Sequence, residues 1–258
     1  MQTITIIGAG LGGLTAGALL SQKGYKVTIL EQHNIVGGSA TTFKRKGGFT
    51  CEVGLHETND AFNDAGKKEI FEALNVYDNV EFVRPDEFFR VSGSSIDFTM
   101  PDDKEKAIAA LCEKYPSEEK AIKEYFRLIE NISDEYEKLS TAPWWKLALF
   151  SFFFKNIVKY KTASVKDVMD SLIENEELKL ILNANVCYFT DTISDFSILY
   201  HALAQNSFYE GGGWYTKGGS QQLSNYLASI IRQNGGEVIT RAEVIKINHN
   251  HNNSRSIT

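Results

Sequence analysis

The sequence predicts an α/β protein in which a parallel-sheet domain is interrupted by a second, largely helical α+β domain. Three observations predict it. A β-rich run, a glycine turn, a small-residue helix and another β-rich run follow one another within the first 31 residues. Eleven of the 20 glycines lie in residues 1–54 and seven between Gly211 and Gly236, leaving Gly66 and Gly93 in the span between. Glycine-dense ends suit tight turns and close backbone approach to a ligand, whereas a glycine-poor middle suits helices. After Gly211 the chain returns to alternating helix and strand patterns. The expected boundaries place residues 1–75 and 211–258 in the first domain and 76–210 in the second.

The elements follow in order. Thr3-Ile4-Thr5-Ile6-Ile7 is the first strand. Gly8-Ala9-Gly10-Leu11-Gly12-Gly13 turns into a helix through Leu20, whose Leu14, Gly17 and Ala18 form a face small enough to pack on a sheet. Gly24 ends that helix, and Lys26-Val27-Thr28-Ile29-Leu30-Glu31 is the second strand. Such a βαβ unit has parallel strands, which require a covered sheet and imply a three-layer arrangement. A helix is expected over 64–74, then short strands at 80–84, 87–91 and 95–99. Ser117 after Pro116, with Glu118 and Glu119 in the first turn, opens a long helix. Its stripe is Ile122, Tyr125, Phe126, Ile129, Ile132, Tyr136 and Leu139. Ser164-Val165-Lys166-Asp167 forms a capping box with the shorter acid. Gly218-Gly219-Ser220 opens a helix over 221–233 that Gly235 closes, and strands follow at 237–240 and 243–247. The run from Asn248 to Thr258 reads as a polar turn and the start of one more strand.

Composition excludes several classes. The chain has 258 residues, 43% hydrophobic and 23% charged, a globular balance and not a disordered one. Its 27 Lys+Arg against 33 Asp+Glu give a net charge of −6, so no nucleic-acid partner is expected. Cys51, Cys112 and Cys187 are scattered without a CxxC pair, which fits neither a disulfide framework nor a cysteine zinc site. His249 and His251 sit in an Asn-rich stretch, and no metal site is expected. The opening MQTITIIGAG has no basic region or cleavage site and reads as a first strand, making the cytoplasm the expected location.

The chemistry concentrates at the ends. Gly8-x-Gly10-x-x-Gly13 between a strand and a helix is the Rossmann-type dinucleotide pattern. Gly8 permits the turn, Gly10 lets the backbone approach a pyrophosphate and Gly13 allows close helix packing. The phosphates would meet the N–H groups of the helix start at Leu11 and Gly12 and its positive dipole. Glu31 ends the second strand, 18 residues after Gly13 and followed by Gln32. A carboxylate there accepts hydrogen bonds from both ribose hydroxyls and repels a 2′-phosphate, disfavouring NADP. Gly37-Gly38-Ser39-Ala40-Thr41-Thr42 offers a second backbone approach, which FAD needs and the shorter NAD does not.

Glu31 together with the Gly37-Gly38 pair resembles the glutathione-reductase-type FAD fold, and within it the amine-oxidase and phytoene-desaturase branch. Phe49-Thr50-Cys51-Glu52-Val53-Gly54-Leu55-His56 is similar to an acidic-x-Gly-x-His segment of the phytoene desaturase, carotenoid isomerase and retinol saturase group. Gly211-Gly212-Gly213-Trp214-Tyr215-Thr216-Lys217-Gly218-Gly219-Ser220 looks like that group's glycine-rich stretch before a helix, with Thr216 where proline is common. Gly235-Gly236-Glu237-Val238 and Ala242-Glu243-Val244-Ile245-Lys246-Ile247 look like its next strand pair. The resemblance implies a Rossmann-type FAD-binding domain with an inserted substrate domain and helical lid. It implies FAD held by Gly8, Gly10, Leu11, Gly12, Gly13, Glu31, Gln32, Gly37, Gly38, Ser39 and His56, with the backbone of Val244 against the adenine. It also implies hydride transfer or double-bond isomerisation on a long apolar isoprenoid, in a longer protein of which this chain resembles only the N-terminal half, the later half being lost by truncation or supplied by a second chain. No side-chain nucleophile is expected. His56 and Tyr215 are the candidates to touch flavin or substrate, or else ordinary structural residues; Glu52 would orient a ribityl group or a loop amide, and Lys217 would line a substrate channel or simply end a turn.

Residues 143–161, Pro-Trp-Trp-Lys followed by phenylalanines and three more lysines, are apolar, aromatic and lysine-bounded. The apolar runs are shorter than the ~20 residues that span a bilayer. Tryptophans and lysines flanking phenylalanines suit a helix lying in a membrane interface, against the plainer reading of a core helix of the lid. Two rival functions stand beside the polyene reading: an FAD-dependent amine oxidase or sugar mutase on the same fold, and an inactive nucleotide- or lipid-binding fragment.

Overall fold

The protein is described by a computed structural model covering residues 2–94, 96–249 and 255–257. It forms two compact units, Met1–Arg84 with Trp214–Thr258, and Pro85–Gly213.

The first unit begins with β1 (Thr3–Ile7), α1 (Leu11–Gln22) and β2 (Lys26–Glu31). β1 and β2 run parallel, with Ile6 opposite Ile29 and Ile7 opposite Leu30. A Cβ at Gly17 would come within 2.9 Å of Ile29 Cδ1 and 3.4 Å of Ile6 Cδ1, so α1 lies directly on the face those isoleucines present. β3 (Thr42–Lys44) and β4 (Thr50–Glu52) make an antiparallel hairpin. β5 (Thr58–Asn59), α2 (Ala65–Ala73), α3 (Val76–Asn79) and β6 (Phe82–Val83) follow, α2 being capped by Asp64, which accepts the Lys67 N–H.

The second unit opens with the hairpin of β7 (Glu87–Ser92) and β8 (Asp97–Pro101) and continues through α4 (Lys104–Lys114) and α5 (Glu119–Ser140). Short helices α6 (Trp144–Ala148), α7 (Phe150–Phe153) and α8 (Lys155–Tyr160) precede α9 (Val165–Leu172), α10 (Glu176–Leu182) and α11 (Ile198–Gly211). Its core joins Ile122, Phe126, Ile129 and Ile132 of α5 to Val168 and Met169 of α9, Ile181 of α10 and Ala202 of α11. Tyr125 and His201 bridge α5 and α11 inside that core, hydroxyl to Nε2, 2.8 Å apart. Burial pulls His201 down to about 4, so it is neutral at neutral pH and adds no buried charge.

The chain then returns to the first unit. β9 (Gly213–Thr216) pairs between β5 and β6; α12 (Gln221–Gln233) follows, and β10 (Glu237–Thr240) lies parallel to β2. β11 (Ile247–His249) and β12 (Arg255–Ile257) pair antiparallel. The core comprises Leu14 and Ala18 of α1, Val27 and Ile29 of β2, and Leu227, Ala228 and Ile231 of α12. The opposite sheet face carries Ile7, Leu30 and Ile239 in one row, with Ile7 49% and Ile239 42% exposed. That row is the face a third layer would cover.

Several expectations move. The boundary foreseen at 75/76 falls after Arg84, because Val76 and Val80 are buried in the first core and Phe82 pairs with Thr216. The return begins at Trp214 instead of Gly211, since α11 continues through Gly211. Residues 80–84 yield a strand only at Phe82–Val83. Ser117 does not open its helix: Pro116–Glu118 form a 3-10 turn and α5 starts at Glu119. Tyr136 is exposed, so the buried stripe ends at Ile132. The Ser164–Asp167 capping box is present in both directions, at 3.1 and 3.0 Å. The strand foreseen at 95–99 is Asp97–Pro101, with Ser95 outside the described residues. No strand forms over 243–246; β11 begins only at Ile247. Arg241 takes a positive φ of 57°, and the N–H groups of Arg241 and Ala242 donate to His33 O and Glu31 O, not to a ladder.

Candidate cofactor site

The β1–α1 turn is built from backbone hydrogen bonds that only a glycine-rich sequence allows. Gly8 holds φ +94° while its N–H donates to Leu30 O at 2.8 Å, tying the turn to β2. A Cβ on Gly13 would stand 2.1 Å from Gly8 O, so the helix starts as close to the strand as backbone permits. Gly10 is the N-cap of α1 and no side chain caps it. The first N–H groups of the helix, at Leu11 and Gly12, therefore have no intrahelical acceptor. A Cβ on Gly10 or Gly12 would meet nothing within 4 Å, which leaves clear space above these donors.

Glu31 closes the turn from the other side. Oε2 accepts the Ala9 N–H at 2.7 Å and Oε1 accepts the His33 N–H at 2.8 Å. Burial by itself pushes this carboxyl up, but the His33 and Ala9 N–H donors and the His33 side chain outweigh it, and the net pKa is lowered. Each oxygen has accepted one donor and retains a lone pair for another. The ion is thus held at neutral pH with capacity for two hydroxyls. Gln32 is exposed beside it.

The second glycine pair docks on the first. Gly37 N–H donates to Ala9 O at 2.7 Å, and Gly37 and Gly10 form a parallel bridge. At Gly37, φ is +121° and a Cβ would lie 2.3 Å from Ala40 O. Gly38 approaches Gly10 Cα so closely that its own Cβ would be 3.3 Å away. Ser39 is exposed, and its carbonyl accepts the N–H groups of Gly54 and Leu55 at 3.1 and 3.0 Å. Two α12 residues that the sequence did not single out hold this loop. Ser224 Oγ donates to Ala40 O at 2.7 Å and Gln221 Nε2 to Val36 O at 2.9 Å. The available signal was a serine inside the apolar stripe Leu223, Leu227, Ala228 and Ile231.

The remaining candidates scatter. Val244 is half-buried in an irregular segment, two residues beyond the Ala242 N–H that binds Glu31 O, so it stays near the end of β2 without a strand. His56 is exposed in the link between β4 and β5. Lys217 makes an exposed ion pair with Glu81 at 2.8 Å, just before the glycine turn at Gly218. Glu52 orients a loop amide: Oε1 accepts Ser220 N–H at 3.0 Å and Oε2 accepts Ser220 Oγ–H at 2.5 Å. Burial, then the Glu52 charge and hydrogen bond, push the Tyr215 phenol up, so Tyr215 is neutral and tied to Glu52. Glu52→Gln is expected to cost about 1 kcal/mol, because two charge-assisted hydrogen bonds become neutral ones with the Ser220 hydroxyl turned to accept, and to bring the Tyr215 phenol back toward its ordinary value. Denaturant unfolding and ultraviolet titration read both, and a variant as stable as the wild type would contradict the clamp. Among the described residues no cluster of three His, Cys, Asp or Glu could hold a metal ion. His251 lies outside them, and the His249 side chain is not described.

The arrangement fits an ADP-containing ligand: uncapped helix donors, clear space over Gly10 and Gly12, and an ionised acid with free acceptor capacity at the tip of β2. The comparisons agree. A sequence profile of the family described as flavin containing amine oxidoreductase matches residues 11–258. The chain is similar to all-trans-retinol 13,14-reductase of Danio rerio, 28% identical over 261 residues covering 94% of this chain and 42% of that protein. It is also similar to prolycopene isomerase 1, chloroplastic, of an Oncidium hybrid cultivar, 25% identical over 260 residues covering 94% and 43%. The chain therefore spans less than half the length of these relatives. Among solved structures, a double mutant of putrescine oxidase superposes with a TM-score of 0.64 at 18% identity, covering 100% of this chain and 54% of that one. At that identity the likeness shows the fold alone.

Proposed function

The chain belongs to the family of flavin-containing amine oxidoreductases, an FAD-dependent class of oxidoreductases, and we propose that its reaction changes the saturation or double-bond geometry of a long apolar isoprenoid. The observation that carries this reading is the similarity, across 94% of the chain, to a retinol reductase and a prolycopene isomerase, both named for polyenes. The site supports it. The N–H groups of Leu11 and Gly12 would take the pyrophosphate, Glu31 the ribose hydroxyls, and the Gly37–Ser39 loop the next stretch of the cofactor. Val244, two residues beyond the Ala242 N–H that donates to Glu31 O, would offer its backbone to the adenine.

Flavin bound there supplies hydride transfer to or from carbon, and the protein's part is orientation and exclusion of water. No nucleophilic side chain is needed. The unit of residues 85–213 is the proposed substrate domain and lid. The relatives' additional length is where we place the remaining flavin and substrate contacts, over the row of Ile7, Leu30 and Ile239 or beyond it. The test is anaerobic incubation of the full-length protein with all-trans-retinol, prolycopene and putrescine, once with its FAD oxidised and once with its FAD reduced by dithionite, followed by separation of the products. A polyene of altered saturation or geometry is expected, with putrescine returned unchanged. Turnover of the amine alone would replace this reading with the amine-oxidase one.

A further inference from the structure

The segment 143–161 presents an apolar surface that the core does not use. Phe154 turns inward and is 2% exposed, whereas Trp144 is 79%, Phe152 66% and Leu149 56% exposed, with Trp145 and Leu147 also open. The chain is not one interfacial helix, as the sequence suggested. It is three helical steps, α6, α7 and α8, broken at Leu149 and Phe154, whose ψ values of 37° and 59° leave the helical region. Five large apolar side chains thus emerge within nine residues.

The segment is anchored to α5 at the start of α8, and it is cationic. The Glu135 carboxylate on α5 accepts the Asn156 backbone N–H at 2.9 Å, the Asn156 amide at 2.7 Å and the Ile157 N–H at 3.0 Å, pinning the start of α8. Lys146, Lys155, Lys159 and Lys161 lie in this stretch and no acidic residue does, in a chain of net charge −6. Their ammonium groups lie over the neighbouring rings: Lys146 over Trp145 at 5.6 Å, Lys155 over Phe152 at 5.2 Å and Lys159 over Tyr160 at 4.6 Å. Amphipathic rings with ammonium groups beside them are the chemistry of a headgroup layer.

We propose that this surface docks on the interface of an anionic lipid bilayer, with Trp144, Leu149 and Phe152 entering below the headgroups and the lysines pairing with them. A second copy of the chain is the poorer occupant. A two-fold contact would set each patch against itself and bring four lysines against four. Nor does the chain cross the bilayer here, since no helix among the described residues is long and apolar enough. The docking needs no turnover, so it stands or falls separately from the polyene reading.

Vesicle co-sedimentation tests it, using the full chain with phosphatidylcholine vesicles and with vesicles also containing phosphatidylglycerol. The wild type is expected on the anionic vesicles, less so at high salt. Trp144→Ala with Phe152→Ala should lower partitioning at least about tenfold. Lys155→Gln with Lys159→Gln should lower it on anionic vesicles by about fivefold per lysine, from about 1 kcal/mol each, and leave neutral vesicles unaffected. All four positions carry no core contact in this reading, so unchanged unfolding midpoints serve as the folding control. Failure of the wild type to sediment, or binding indifferent to both double variants, overturns the proposal. So does a concentration-dependent dimer that the Trp144→Ala, Phe152→Ala protein loses.

Discussion

Gly13→Ala loses both FAD binding and stability, whereas Gly10→Ala loses FAD binding alone. The contrast follows from what each new methyl group meets. At Gly13 the Cβ would stand 2.1 Å from Gly8 O and 3.3 Å from Gly8 C. Neither partner can yield cheaply, because Gly8 is fixed to Leu30 O and α1 rests on Ile6 and Ile29. Overpacking of this kind costs about 1–3 kcal/mol, and rigid backbone on both sides places the loss at about 3. At Gly10 the φ is −70° and nothing lies within 4 Å, so alanine is accommodated, at a cost under about 1 kcal/mol for the poorer N-cap. Its methyl group instead occupies the space through which a pyrophosphate approaches the helix donors. Denaturant unfolding of the two apoproteins, beside flavin titration, separates the effects. Equal stability of both variants would mean that the Gly8–Gly13 contact is not what closes the turn.

Glu31→Gln is the second large effect. Both carboxylate oxygens accept backbone N–H groups, from Ala9 and His33, and a glutamine can satisfy only one of them. Whichever way the amide sits, its NH₂ faces an N–H donor in a buried place. The expected cost is about 1–3 kcal/mol of stability, and FAD affinity should fall at least about tenfold with the loss of one charged acceptor for the ribose. The pH dependence has a definite sign. The Glu31 pKa is lower in the folded protein than its ordinary value of 4.5. Its contribution is fully present above about 4.5 and disappears as the pH falls through the folded value. Wild-type stability should therefore decline on acidification more steeply than that of Glu31→Gln, and parallel curves would contradict the assignment.

What could be read from the sequence was local. β1, α1 and β2 announced themselves because a strand period, a glycine turn and a small-residue helix face lie within 31 residues of one another. The Ser164–Asp167 box was legible for the same reason. The domain boundary was not, since Phe82 finds its partner at Thr216, far along the chain, and no local pattern carries that pairing. The strand foreseen around Val244 failed because Arg241 adopts a left-handed backbone and spends its N–H on His33 O. Residues 143–161 have no glycine or internal proline to mark the breaks at Leu149 and Phe154, one of which falls on an exposed leucine and the other on a buried phenylalanine. At the site, the glycines and Glu31 were visible as types at the right spacing. That Glu31 binds its own chain's Ala9 and His33 before any ligand, and that Ser224 and Gln221 brace the second glycine pair, required the fold.

The most direct measurement is titration of the purified, folded apoprotein with FAD, NAD and NADP, followed by calorimetry and by flavin absorbance after gel filtration. The wild type should retain one FAD per chain, Gly10→Ala none, and NADP should show no measurable binding. A folded wild-type chain that emerges colourless after exposure to excess FAD, or one that keeps the flavin equally well with alanine at position 10, would contradict the FAD assignment.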